Sequence, residues 1–69
     1  MPERLANQLK ERRTELGLTQ AELAERVGVT RKTVNTVENG VFVPSTILAL
    51  KLAKALARPV EQLFSISSE

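Results

Sequence analysis

Leu5, Leu9 and Leu16 recur on one face at helical spacing. They predict a first helix over residues 3–16, stopped by Gly17, which takes up the left-handed conformation without a steric penalty. Arg12 falls on the same face, so its stem is expected along the edge of the core with its head in water. The run Thr19-Gln20-Ala21-Glu22 fits a capping box, in which Thr19 accepts from the amide of Glu22 and Glu22 reaches back to the amide of Thr19. It predicts a second helix with Leu23, Ala24 and Val27 inward and Gly28 at its end. A third helix, 30–39, has Thr30 as N-cap, turns Val34 and Val37 inward and stops at Asn39-Gly40. A fourth starts behind Pro44 with Ser45 as N-cap and runs to about residue 57. A short fifth spans about 59–64, with Pro59 suited to a first turn. The final SISSE segment is expected to fray. With two phenylalanines as the only aromatic residues and little strand-like alternation, the chain reads as all-α. It forms one domain over 1–69, with a core at about 5–64 and a flexible tail at 65–69.

Composition narrows the chemistry. The 69 residues include no cysteine and no histidine, so neither a disulfide nor the usual zinc ligands are available. There is no aspartate either, and the serines have no base to activate them, so an enzyme is not expected. No cofactor and no small-molecule effector is evident. The N-terminal segment is charged from Glu3 onward and lacks the apolar stretch of a signal peptide. The densest apolar stretch, 47–57, is broken by Lys51 and Lys54, which argues against a membrane span. A cytoplasmic protein is expected. The net charge is only +2. Its distribution is more telling: between residues 26 and 60, Arg26, Arg31, Lys32, Lys51, Lys54 and Arg58 stand against Glu38 alone. That middle segment is the candidate surface for a polyanion, although a solvated basic face has the same composition.

Gly28, Val29 and Thr30 alone separate the second and third helices. A short glycine-containing turn between two short helices is the helix-turn-helix signature, and also that of an ordinary αα-corner. The outer face of the third helix bears on the choice. At about 100° per residue, Lys32, Asn35, Thr36 and Asn39 lie opposite the valines. Arg31 and Glu38 share one flank, and Thr33 is on the other. Lys and Arg donate to O6 and N7 of guanine, Asn pairs with adenine through two bonds, and Thr offers a hydroxyl or a methyl to thymine. Side chains this short suit a groove roughly 12 Å wide. A face shaped only for solubility favours Glu and Lys instead.

The segment from Leu18 to Gly40, LTQAELAERVGVTRKTVNTVENG, closely resembles the Cro/cI-type (XRE-type, phage repressor-like) helix-turn-helix DNA-binding family. The match continues through VPSTILALKLAKALARPVEQLF, so it covers nearly the whole chain. The resemblance implies a compact five-helix lambda-repressor-like domain with 30–39 as recognition helix. It implies that Gln20 contacts a phosphate and braces that helix. It implies that Arg31, Lys32 and Thr36 read bases, with Thr33 and Asn35 beside them, and that Asn39 lies near the DNA backbone. It also implies an ion pair between Arg13 and Glu38. The chain departs from the family pattern at Arg12, where an apolar residue is commoner, and at Val41, where a basic residue is frequent. It departs again at Ala57 and Arg58-Pro59, in place of a glycine, an apolar residue and a serine.

The expected function is therefore sequence-specific binding to double-stranded DNA by a transcriptional regulator of repressor type. The alternative is a protein-interaction module or antitoxin-like partner that keeps the fold with little DNA readout; the apolar loop 41–43 favours it. A single recognition helix reads few base pairs, so a homodimer on a pseudo-palindromic operator is expected. Val41, Phe42, Val43, the apolar sides of the fourth helix, Phe64 and Ile66 are the surfaces from which a dimer contact is drawn. Phe42 equally suits closure of the core. The fifth helix and its neighbours are the preferred contact.

Overall fold

The capping box at Thr19 forms as its sequence requires. In the structure, a computed structural model describing residues 3–68, Thr19 Oγ1 accepts from the amide of Glu22 at 3.0 Å, and a Glu22 carboxylate oxygen accepts from the amide of Thr19 at 2.8 Å. These bonds satisfy donors that the first turn of a helix leaves without intrahelical partners. Five helices and two strands follow one another along the described residues: β1 (Arg4–Asn7), α1 (Leu9–Glu15), α2 (Gln20–Val27), α3 (Arg31–Glu38), α4 (Thr46–Leu56), α5 (Val60–Leu63) and β2 (Phe64–Ser67). The molecule is mainly helical, with the expected number of helices. Thr30 and Ser45 cap α3 and α4 by accepting from the amides of Thr33 and Leu48.

The two strands are the main departure from the sequence reading. Residues 4–7 belong to β1, not to the first helix, and Phe64–Ser67, expected as the end of the fifth helix and the start of the fraying tail, form β2. Glu69, the last residue of that expected tail, lies outside the described residues. The strands pair antiparallel, with Arg4 opposite Ser67, Leu5 opposite Ile66, Ala6 opposite Ser65 and Asn7 opposite Phe64. Helical periodicity missed this because Leu5 and Leu9 fit a helix face as well as they fit a strand leading into a helix. The pairing partner lies at the far end of the chain, where a local pattern carries no information about it. Asn7 sets the boundary: its side-chain oxygen accepts from the amide of Leu9, in the first turn of α1. The amide of Gln8 donates to the carbonyl of Leu63 at 2.9 Å.

The core consists of Leu9, Leu18, Leu23, Ala24, Val27, Val34, Val37, Leu48, Leu52, Ala53, Leu56, Leu63 and Phe64. Val34 and Val37 face inward as their spacing requires. Leu16 does not: α1 ends at Glu15, and Leu16 is 41% exposed beside Gly17 while Leu18 takes the inward position. Arg12 runs along the core edge, but its head does more than stay in water. Its Nε donates to the carbonyl of Leu56 at 2.8 Å, at the end of α4. The next residue, Ala57, has φ of 55°, the left-handed region where a Cβ costs about 1–2 kcal/mol. Arg12 and Ala57, two departures from the family pattern, therefore meet at one helix terminus.

The Thr19 amide bond, the Thr19 side chain and the charge of Arg26 hold the Glu22 carboxyl below the ordinary glutamate range. A folded pKa below the unfolded one means stabilisation that is fully present above the unfolded value and is lost as pH falls through the folded value. Glu22→Gln keeps an acceptor for the Thr19 amide but does not titrate. Melting temperatures measured from neutral to acid pH are expected to show wild type ahead of this variant at neutral pH, with the gap closing below the ordinary glutamate range. A gap unchanged across that range would mean that the carboxylate charge plays no part in the cap.

Candidate nucleic-acid interface

The turn between α2 and α3 fixes how the outer face of α3 is presented. Gly28 closes α2 with φ of 75°, a left-handed position that glycine takes up freely, and the amide of Val29 donates back to the carbonyl of Ala24. Thr30 then starts α3 in extended geometry. With Val34 and Val37 buried, the opposite side carries Arg31, Lys32 and Asn39 exposed and Asn35 and Thr36 half-buried. Thr33 is half-buried on the flank, its hydroxyl 3.1 Å from that of Thr30. The Thr36 hydroxyl donates to the carbonyl of Thr33 at 3.0 Å, so outwardly it has a methyl and an acceptor to offer.

Behind this face lies a polar cluster that joins three helices. Arg13 of α1 donates through Nε to Glu38 Oε2 at 2.7 Å and through Nη2 to Oε1 at 3.2 Å. Its Nη1 donates to the carbonyl of Leu18 at 2.9 Å. Gln20 of α2 donates through Nε2 to Glu38 Oε1 at 3.1 Å and to Asn35 Oδ1 at 3.2 Å. Asn39 donates to the same Asn35 oxygen at 3.1 Å. The Glu38 side chain is 2% exposed and that of Arg13 12%. Five sequence-singled residues, Arg13, Gln20, Asn35, Glu38 and Asn39, are thus brought into one network. Arg31, Lys32, Thr33 and Thr36 stay outside it.

Gln20 ties the start of α2 to α3 through Asn35 and Glu38. Arg31 and Thr19, Gln20 and Ala21 at the start of α2 line one shallow groove, beside Arg13. Two contacts to α3 escaped the sequence reading. The Asn7 amide donates to the carbonyl of Val37 at 3.0 Å, tying β1 to the last turn of α3. The carbonyl of Thr36 accepts from the amides of Val41 and Phe42, which folds the apolar loop back against that helix. Nothing in the sequence pointed to Asn7, which lies inside the expected first helix.

Removing one partner of a buried ion pair strands the other charge, a loss of about 3–5 kcal/mol. Glu38→Ala is expected to destabilise the fold by about 3 kcal/mol in denaturant unfolding. Arg13→Met combined with Glu38→Leu should recover part of that loss, because neither charge is then left without a partner. Additive losses in this double-mutant cycle would show that the two residues are not coupled.

Comparison with known proteins agrees with this geometry. A helix-turn-helix family model matches residues 9–63. An uncharacterized HTH-type transcriptional regulator from Methanothermobacter thermautotrophicus is 52% identical over 88% of this chain and 90% of its own length. The uncharacterized HTH-type transcriptional regulator YgzD of Bacillus subtilis is 45% identical over 94% of this chain and 98% of its own. Among solved structures, the restriction-modification controller protein C.AhdI from Aeromonas hydrophila superposes with a TM-score of 0.74 at 41% identity, covering 78% of this chain and 82% of that one. Among the described residues no helix is long and apolar enough to cross a membrane. The chain belongs to the Cro/cI-type (XRE-type) helix-turn-helix family, a family of DNA-binding transcriptional regulators rather than enzymes.

Proposed function

We propose that this protein is a cytoplasmic repressor that binds a pseudo-palindromic duplex operator as a homodimer, with α3 in the major groove. The observation that carries this reading is the outer face of α3: short polar and basic side chains, braced from behind by Gln20 and by the Arg13–Glu38 pair. Lys32, Arg31, Asn35 and Thr36 face base edges. Asn39 lies near the backbone. The first-turn amides of Gln20 and Ala21 have no intrahelical acceptor, and with Arg31 beside them they suit a phosphate oxygen. The likeness to C.AhdI favours, as a second reading, a controller of restriction-modification genes. An operator adjoining methyltransferase and endonuclease genes would distinguish it.

Binding to the selected operator is expected to weaken with salt at a slope of about −0.9 per neutralised phosphate. Lys32→Ala and Thr36→Ala should each relax base preference at one position by about 1–3 kcal/mol. Titration of operator and mismatched duplexes by fluorescence anisotropy measures both. A Lys32→Ala, Thr36→Ala double variant with unchanged affinity and preference would remove α3 from the readout.

Two half-sites about 34–36 Å apart call for a second copy, and the structure offers a surface for it. Val43, Ile47, Leu50 and Ile66 are each more than half exposed. Leu5, Val43, Pro44, Leu50 and Phe64 line an apolar groove, and Leu5 stands opposite Ile66 in the β ladder, on the same sheet face. Phe64 itself belongs to the core, so its earlier assignment to the contact gives way to Ile66 and the exposed side of α4. Phe42 is 48% exposed and does not close the core. Sedimentation with operator should give two protomers per duplex for wild type and one for Leu50→Glu or Ile66→Glu. A one-to-one wild-type complex on an unrepeated site would exclude the dimer.

A further inference from the structure

The hydrogen bonds that start at Glu38 have a direction that needs no choice of amide orientation. Both oxygens of a carboxylate paired with a guanidinium are acceptors. The Gln20 atom 3.1 Å from Glu38 Oε1 is therefore its amide nitrogen. The same nitrogen lies 3.2 Å from the Asn35 carboxamide and has only hydrogens to give, so Asn35 must turn its oxygen toward Gln20. Asn39 approaches that oxygen at 3.1 Å and must do so with nitrogen. Each assignment forces the next, from the buried ion pair out to the face of α3.

The Asn35 oxygen thus receives two donors from within the protein. Its nitrogen makes no hydrogen bond to the described residues. Among them, no buried side-chain nitrogen or oxygen lacks a partner, so this amino group is open to solvent. An unconstrained asparagine pairs with adenine by donating to N7 and accepting from the 6-amino group. Asn35 has its accepting half occupied. The two-bond adenine contact read from the sequence for either asparagine is therefore closed to Asn35. Both Gln20 amide hydrogens are also engaged, so its side chain positions Asn35 and leaves a phosphate to main-chain amides.

We propose that Asn35 is a donor-only reading residue, held by Gln20 and Glu38, that selects a base edge made of acceptors, guanine ahead of thymine. This rests on the duplex-reading function proposed above and adds the chemical class of base that one position takes. Guanine presents two acceptors, O6 and N7, and thymine O4; adenine sets N7 beside a 6-amino group that a donor-only side chain leaves unmet, and cytosine presents a 4-amino group that no donor can meet.

Selection of sites from random duplex DNA tests it, with wild type, Asn35→Ala, Asn35→Asp and Gln20→Ala. Asn35→Ala identifies the position where preference disappears. There, wild type should favour guanine or thymine over cytosine by roughly tenfold. Asn35→Asp keeps an inward oxygen for Gln20 and Asn39 but faces outward with an acceptor. Preference at that one position should move to cytosine or adenine, which carry amino groups, while the added charge weakens all sites alike. Gln20→Ala frees Asn35 to turn, and adenine should join the bases accepted at the same position; this arm reads the lock even if the aspartate variant fails to fold. A wild-type preference for adenine at that position, or an Asn35→Ala variant that selects the same site as wild type, would overturn the donor-only role while specific binding stands. Failure of wild type to select any sequence would overturn the duplex reading together with it.

Discussion

Glu38 is an acid on α3 with its side chain almost wholly removed from water. Desolvating a carboxylate costs several kcal/mol, and the cost is offset only where the lone pairs it loses to water are met by protein donors. Here Arg13 supplies two and Gln20 a third. Those donors come from α1 and α2, and Arg13 also holds the carbonyl of Leu18 in the turn between them. A shift of α3 against its neighbours would part the ions and leave a charge stranded. The pair therefore gives α3 one position, which a small core of mainly leucine and valine side chains does not guarantee by volume alone.

The same pair alters the electrostatics of the interface. A net charge of +2 is modest for a protein that meets a polyanion. The only acid on α3 is turned inward and matched by Arg13, so the exposed charges of that helix are Arg31 and Lys32. Arg12 turns its Nε inward to the carbonyl of Leu56 and pairs at the surface with Glu15 at 3.2 Å. On α3 itself the charges that remain toward solvent are basic, and the field along that helix is more positive than the overall balance indicates.

The ends of the chain contribute in a different way. β1 and β2 pair with each other, and Asn7 at the end of β1 holds the last turn of α3 through the carbonyl of Val37. The strand pair thus connects the terminal segments to α3. It also carries Leu5 and Ile66 beside the exposed apolar side of α4. Leu5 of that surface and Asn7, which bonds to α3, stand two residues apart in β1.

Much of this was legible in the chain itself. Caps are local chemistry, so Thr19, Thr30 and Ser45 declared the starts of α2, α3 and α4, and Gly28 and Gly40 the ends of α2 and α3. The valine spacing of α3 settled which side faces out, and with it the strip of Lys32, Asn35, Thr36 and Asn39. What local pattern could not decide were contacts between distant segments. The β ladder joins residues at opposite ends of the sequence, and a leucine at position 5 serves a strand or a helix equally well. Phe64 and Ile66, two residues apart, read alike as apolar, yet packing buries the first and leaves the second at the surface. The direction of the hydrogen bonds through Gln20 and Asn35 is tertiary too. An amide has a donor and an acceptor end, and only the neighbour it meets across the fold decides which end is left for a ligand.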